Sequence, residues 1–352
     1  MATDLRDLQE AVRESARVRA HGARTKCAPI QEGVRALDLS AYSGVIEYHP
    51  TEFVITAWAG TPVAEVQDLL ARHGQYLPFD PLLAERGATL GGTVAANACG
   101  PERYRYGGAR DFLIGVRLID GNGALIQGGG KVVKNAAGFD YPKLMVGSLG
   151  TLGILTEVTF KVFPKPEAYA TLRVVLPSLG DALALLPTLT NCPYDLNAID
   201  ILVDPVDERA TLFIRVGGLA AGLPQRMARV RALCGAGELM DEADEAAFWR
   251  AARAFTWLHA GESAVKVPLT PARIPALDAH LRGLQRRYSV GGNVAWIATD
   301  DLARLDAILK SLALAGLVLV NAQGDPRIGW RQPNPFAERV ARALDPEGKF
   351  RL

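Results

Sequence analysis

Glycine is concentrated in one stretch of this chain to a degree that restricts what the backbone there can be doing. The window from Gly87 to Gly153 holds 16 of the 35 glycines in 67 of the 352 residues. Glycine loses more backbone freedom on folding than any other residue, so such a stretch needs a reason, and the usual one is close approach of the main chain to something else. Within it, Thr89 to Gly100 reads TLGGTVAANACG, with small residues at nearly every position and Gly91-Gly92 where a helix would begin. Bare amides at a helix start, with the helix dipole behind them, make a seat for a diphosphate. Hydrogen bonds to a charged oxygen contribute about 1.5–3 kcal/mol each, so three or four fixed amides can hold a pyrophosphate without a lysine. Close helix–strand packing also asks for small side chains, and this segment alone does not separate the two readings.

Two further segments share the character. Arg19 to Lys26, RAHGARTK, reads as a strand entering a turn that contains Gly22 and the Thr25 hydroxyl, where amides can converge on an anion. Alone it is equally an ordinary turn. Gly128 to Ile154 carries a glycine cluster, a Lys134-Asn135 pair and then GSLGTLGI from Gly147. Glycines three apart leave main-chain groups open to a planar ligand, and Leu149, Leu152 and Ile154 can contact a flat ring. The run feeds a strand instead of opening a helix, so it is no Rossmann fingerprint, and there is no GK[ST] of a Walker loop.

A length of 352 residues suggests two domains at roughly 150 residues each. The net charge of +1, from 39 basic and 38 acidic side chains, argues against nucleic acid or an anionic membrane as the main partner. The four cysteines, Cys27, Cys99, Cys192 and Cys234, are too dispersed for a zinc pair or an iron–sulfur cluster, and no metal site is expected. Any iron–sulfur chain must therefore sit on another polypeptide. The start, MATDLRDLQEAV, is not a signal peptide, and the longest apolar run, Ser311 to Val320, is about half a membrane span. A cytoplasmic protein is expected, reaching a membrane only through partner subunits.

Leu5, Leu8, Val12 and Ala16 predict a first helix capped by Thr3, followed by strands at 18–20, 34–39, 45–48 and 53–58. Thr61-Pro62 opens a helix that Gly74 closes. Strands at 112–119 and 124–127 flank the turn residues DGNG, and a strand from Ile154 to Phe163 runs into Pro164-Lys165-Pro166, where the domain boundary is placed. Beyond it, strands at 172–176, 199–203, 212–216, 263–267, 290–297 and 317–320 mix with helices at 179–189, 224–233, 242–255, 271–284 and 300–314. Several strands lack a crossover helix between them, which predicts an α+β unit with a largely antiparallel sheet and helices on one face. The organisation expected is 1–166 (lobes of about 1–60 and 61–166), a cap at 167–325, and a tail at 326–352 returning to the first unit.

Taken together, TLGGTVAANACG, Tyr106-Gly107 and LMVGSLGTLGILTEVTFKVFPKP from Leu144 to Pro166 resemble the FAD-binding domain of the vanillyl-alcohol oxidase and p-cresol methylhydroxylase superfamily. The KNAAGFDYPKL run from Lys134 resembles its glycolate oxidase branch, in particular the smaller flavin subunit. The resemblance implies a two-part FAD-binding domain with an α+β cap. It implies pyrophosphate on the backbone of Gly22, Ala23, Arg24, Thr25 and Lys26 and of Gly91, Gly92 and Thr93. Asn97 and Gly100 would stand at the isoalloxazine end, with Gly147, Gly150, Thr151, Gly153 and Ile154 on the other flank. The family's covalent anchor is a His or Cys in particular loops; His21 precedes Gly22 and Tyr106-Gly107 has no neighbouring Cys, so non-covalent FAD is expected.

The family's catalytic histidines are missing. The five histidines, His21, His49, His73, His259 and His280, are scattered, there is no H-x-G-D-G-N stretch, and no catalytic residue can be named. Arg103, Arg105, Arg253 and Arg273 are all candidates for a hydroxy-acid carboxylate, and all equally suit a solvated surface. The resemblance implies a non-autonomous FAD subunit of a glycolate oxidase, working beside a catalytic flavin subunit and an iron–sulfur subunit on a small 2-hydroxy acid. The other readings are a self-sufficient glycolate or D-lactate dehydrogenase, a scaffold without cofactor, and a nucleotide-sugar reductase on the same flavin fold, for which the Ser and Glu acid machinery is lacking.

Overall fold

The computed structural model describes residues 4–26, 30–130 and 139–351. The first helix, Arg6–Glu14, buries Leu8, Ala11 and Val12, and Leu5 takes the N-cap position without a side-chain bond. Thr3, expected as that cap, lies outside the described residues. Strands β1 (Val18–His21) and β2 (Arg35–Asp38) form a parallel pair. β3 (Val45–His49) and β4 (Val54–Trp58) follow, then the helix Val63–Ala71 and the short β5 (Gln75–Tyr76). The glycine-rich stretch supplies the helix Leu90–Ala96, the hairpin β6 (Leu113–Ile119) and β7 (Leu125–Gly129), and the approach to β8 (Ile154–Lys161). β9 (Phe163–Pro164) pairs with β5.

The resulting five-stranded antiparallel sheet has the order β3-β4-β8-β6-β7. β8 is central, and six of its eight residues are buried. Strand alternation alone would bury every second residue, so both faces of this strand are covered.

The rest of the chain builds a nine-stranded sheet from β10 (Ala168–Leu176), β11 (Ala198–Val203), β12 (Ala210–Gly218), β13 (Glu238–Leu239), β14 (Ser263–Pro268), β15 (Arg286–Ser289), β16 (Val294–Thr299), β17 (Ala315–Val320) and β18 (Arg327–Gly329). Its order is β13-β10-β12-β11-β15-β16-β14-β17-β18, and every pairing is antiparallel. The helices Leu179–Thr190, Leu223–Cys234 and Leu302–Ser311 pack on it through one apolar cluster. Ala264, Trp296, Val294 and Leu319 belong instead to the cluster that contains the five-stranded sheet, so the two sheets share a core. An α+β fold with an antiparallel second sheet is as expected.

Two elements differ from the sequence reading. The apolar run 290–297 is not one strand: Val290, Gly291 and Gly292 all have positive φ (59°, 62° and 84°) and turn the chain between β15 and β16. The Gly-Gly pair permits this reversal, and hydrophobic periodicity hides it. The predicted helix 271–284 is a 3-10 turn and a short helix, Ile274–Asp278. Past it the amides of His280, Leu281 and Leu284 bond three residues back, so Leu277 and Leu281 are buried by consecutive turns and not by a helix face.

After the helix Pro335–Leu344 the chain end lies against the first helix. The Val18 amide donates to the Lys349 carbonyl at 3.0 Å, and Lys349 Nζ donates to the carbonyls of Val12 (2.9 Å) and Arg13 (3.1 Å). Phe350 is buried with Leu8, Val12, Val18 and Ile154. Replacing Phe350 with Ala should destabilise the chain by about 3 kcal/mol, as large-to-small core changes do; urea denaturation followed by tryptophan fluorescence checks this.

Candidate functional site

The glycine segments that are apart in sequence meet at two contacts. A Cβ on Gly22 would lie 2.6 Å from Thr89 Oγ1, and one on Gly91 would lie 2.7 Å from the Cβ of Ala59 and 3.0 Å from its carbonyl oxygen. Neither place accepts a side chain, so the turn after β1 sits directly on the N-cap of the helix Leu90–Ala96, and that helix sits directly on the strand end at Ala59. Gly92 differs: its Cβ position is 3.1 Å from Thr89 Oγ1 and 3.8 Å from Lys26 Nζ, beside the buried Lys26. Gly153, at φ 143°, would drive a Cβ within 2.8 Å of Leu118 Cδ1, whereas Gly150, at φ 76°, faces open space.

These approaches border a cleft lined by Arg19, Ala20, His21, Gly22, Lys26, Leu39, Ala59, Thr89, Gly91, Gly92, Ala95, Ala96, Ser148, Leu149, Gly150, Gly153, Ile154, Leu155 and Pro326. Seven of the sequence-derived candidates are on this wall: Gly22, Lys26, Gly91, Gly92, Gly150, Gly153 and Ile154. Arg24 and Thr25 line a neighbouring hollow with Arg19, His21, Arg86 and Asn321. Ala23, Thr93, Asn97, Gly100, Gly147 and Thr151 are on neither wall. Thr93 is fully buried, and its hydroxyl has no hydrogen-bond partner. Gly147 and Thr151 shape the loop, their amides bonding the carbonyls of Val94 and Ser148. Lys134 and Asn135 lie outside the described residues. Sequence reasoning passed over Ala95 and Ala96, although the small-residue run contained them, and it had no signal for Leu39 or Pro326, which arrive from other elements.

The donors are distributed differently from the sequence picture. Among the described residues, the amides of Gly22, Ala23, Arg24 and Thr25 donate to no protein acceptor. Those at the helix start are engaged: Gly91 to the Ala59 carbonyl (2.7 Å), Gly92 to Thr89 Oγ1 (3.3 Å) and Thr93 to the Thr89 carbonyl (2.9 Å). The N-cap hydroxyl thus takes an amide that sequence reasoning assigned to a ligand. The helix contributes shape and a long, weak Gly92 bond, and the free donors come from the turn after β1. A bare-backbone turn flanked by Lys26 and floored by glycine suits a pyrophosphate, and the apolar wall of Leu39, Leu149, Ile154 and Leu155 suits a flat aromatic group.

His21 is held on both ring nitrogens. Nδ1 lies 3.1 Å from the Gly22 carbonyl and Nε2 lies 2.8 Å from Arg24 Nη2, so Nδ1 donates and Nε2 accepts. Asp38 lies 3.7 Å from His21. Its carboxyl is held below the usual range, chiefly by the Ser40 amide. His73, His259 and His280 are exposed, and His49 hydrogen-bonds Glu47. Among the described residues no three His, Cys, Asp or Glu side chains are placed to hold a metal. Arg105 pairs with Asp195 at 2.7 Å, Arg253 Nε is 3.6 Å from Asp80, and Arg273 donates to the Leu312 carbonyl.

Past the helix Leu90–Ala96, Asn97 adopts φ 47° and its carbonyl accepts from Lys266 Nζ of β14 at 2.8 Å. Lys266 is buried, which lowers its ammonium to about 8. Beside it the buried Cys99 thiol is pushed up by burial, and its sulfur accepts the Ala109 amide at 3.2 Å. Gly100 has no room for a side chain, because Asp80 Oδ2 would lie 2.4 Å from its Cβ.

Comparison with known proteins supports the cofactor. Residues 2–129 match the FAD binding domain family. A 139-residue stretch is 46% identical to glycolate oxidase subunit GlcE of Escherichia coli (strain K12), covering 40% of each chain. Over 198 residues the chain is 32% identical to D-lactate dehydrogenase [cytochrome] 1, mitochondrial, of Saccharomyces cerevisiae, covering 52% of this chain and 33% of that protein. Over 221 residues it is 28% identical to glycolate oxidase subunit GlcD of Bacillus subtilis (strain 168), covering 59% and 47%. The matches span less than half the length of these relatives. Among solved structures, alkyldihydroxyacetonephosphate synthase superposes with a TM-score of 0.72 at 15% identity, over 98% of this chain and 74% of that one, which shows the fold. Residues 2–129 thus correspond to an FAD-binding domain, the cofactor is FAD, and the chain shares the fold of alkyldihydroxyacetonephosphate synthase. Gly92→Val should lower FAD affinity by about tenfold or more, because its side chain would crowd Thr89 Oγ1 and Lys26 on the cleft wall; quenching of free FAD fluorescence on titration with the variant measures it.

Proposed function

We propose that this chain is the FAD-binding subunit of a multi-subunit 2-hydroxy-acid oxidase acting on glycolate, with a separate flavin subunit carrying the catalytic groups and an iron–sulfur subunit taking the electrons. The observation that carries the reading is a flavin cradle that, among the described residues, has no free histidine beside it. His21 is the one histidine on the cleft wall among the described residues, and both of its nitrogens are engaged. The 46% identity to a protein named as a glycolate oxidase subunit points the same way.

In this reading the amides of Gly22 to Thr25 and the Lys26 ammonium hold the pyrophosphate, while Leu149, Ile154 and Leu155 exclude water from the flat part of the cofactor. FAD supplies two-electron redox chemistry when bound. Gly150 leaves space at the wall, and Gly91 and Gly22 keep the helix and turn close enough to enclose the group. We also assign the units as 1–166 for flavin, 167–325 as cap and 326–352 as the returning tail. In this reading FAD is held non-covalently, since among the described residues the cleft-wall histidine, His21, has both ring nitrogens engaged. Acid precipitation should release all of it to the supernatant; yellow protein in the pellet would refute that.

A self-sufficient D-lactate or glycolate dehydrogenase is the second reading, favoured by the likeness to a D-lactate dehydrogenase. Anaerobic addition of glycolate, then D-lactate, to the purified holoprotein separates the two. Flavin absorbance near its visible maximum should persist with this chain alone and bleach once the partner subunits are supplied. Bleaching of the isolated chain would establish the second reading in place of the first.

A further inference from the structure

The segment leaving the cleft helix, Asn97 to Glu102, is gripped at both ends by cations from the nine-stranded sheet. Lys266 of β14 takes its first carbonyl. At the other end Glu102 is 4% exposed and accepts from Nη1 of Arg215 on β12, which is 7% exposed. Arg215 is mostly committed elsewhere. Its Nε and Nη2 donate to the two oxygens of Glu245 at 2.7 and 3.3 Å, and Glu245 also accepts the Thr171 hydroxyl at 3.1 Å. The guanidinium is stacked 3.8 Å above the Tyr169 ring.

Glu102 therefore has a single donor in a site closed to water. Facing it are Arg215 from β12, Arg253 from the helix Glu242–Ala254, the Asp80 carboxylate, and the hydroxyls of Tyr76 on β5 and Tyr169 on β10. Asp80 is held in place: its Oδ2 accepts the Glu102 amide at 3.3 Å and its carbonyl accepts the Gly100 amide at 2.6 Å. The negative charge of Asp80 cannot move away.

We propose that Glu102 is a positioning residue of the flavin site, and that its proton sets how firmly β12 holds the exit of the cleft helix. Ala95 and Ala96 of that helix line the cleft, so a shift of its exit reaches the cofactor wall directly. The inference rests on the FAD reading of the cleft.

The direction follows from linkage. Burial, with Asp80 adding to it and Arg215 opposing, pushes the Glu102 carboxyl up to about 7 from an ordinary 4.5. The docked state binds the proton more tightly than the opened or unfolded chain. Its contribution to stability is complete below the ordinary carboxyl range and is lost as pH rises through about 7. Above that pH the charge is buried at a cost and the grip weakens.

The test is FAD titration of the purified chain at pH 6 and pH 8.5, with Glu102→Gln alongside, together with thermal midpoints of both apoproteins over the same range. Wild-type affinity should weaken on the order of three- to tenfold across that interval, within the limit of tenfold per pH unit for one linked proton. Glu102→Gln, neutral at every pH and still able to accept from Arg215, should lose that dependence and keep its thermal midpoint at pH 8.5. A pH profile unchanged by Glu102→Gln, or a flat wild-type profile, overturns the proposal. If neither protein binds FAD at any pH, the flavin reading fails instead, and the midpoints still decide whether Glu102 carries the proton. Should Glu102→Gln not fold, the wild-type midpoint decides: it must fall between pH 6 and pH 8.5.

Discussion

Everything about the cleft follows from glycine backbone held closer to its neighbours than a methyl group allows. Gly22 on Thr89 and Gly91 on Ala59 bring a turn, a helix start and a strand end to one place. Without those approaches Thr89 could not cap its helix beneath the turn, and Lys26 would not reach the edge of Gly92. Side chains of ordinary size at either contact would separate the parallel pair β1 and β2 from the helix. The cost is conformational entropy in the unfolded chain, and it is repaid only because a large apolar core surrounds the site. That core is continuous from the five-stranded sheet into one face of the nine-stranded sheet.

The second sheet is more than a cover. Two of its cations reach the segment that leaves the cleft helix, Lys266 to Asn97 and Arg215 to Glu102, and both are buried. Burying a polar or charged group is costly unless it is hydrogen-bonded, so each of these contacts penalises any arrangement that leaves a partner unmet. They are therefore well suited to fixing where two sheets meet. The Lys266 ammonium is disfavoured by burial, with the neighbouring Cys99 opposing that effect and Arg103 adding to it. Its main-chain acceptor on Asn97, a residue with positive φ, is what holds it there.

How legible the site was in the sequence depended on the kind of group involved. Glycine spacing exposed the turn after β1, the helix start and the loop before β8, because the steric demand that selects glycine is local. Even so, the amides of Gly91 to Thr93 were read as free when Thr89 and Ala59 occupy them. The hairpin at Val290 to Gly292 was missed because apolar periodicity outweighed a Gly-Gly pair, and the turns after Asp278 because buried leucines at helical spacing also occur in consecutive turns. Glu102 and Arg215 could not be singled out at all, being two charged residues among many.

The sequence by itself determined the fold class, the glycine-rich segments of the cleft and the absence of an H-x-G-D-G-N stretch, since each rests on residues near one another in the chain or on composition. Only the tertiary structure decided which cradle amides remain available, which small residues face the cleft, and that Glu102 lies under Arg215 beside Asp80. The last of these depends on a distance between segments more than a hundred residues apart, as Glu102 and Arg215 are. Chain spacing carries no record of such distances; they are set when the two sheets close on a common core.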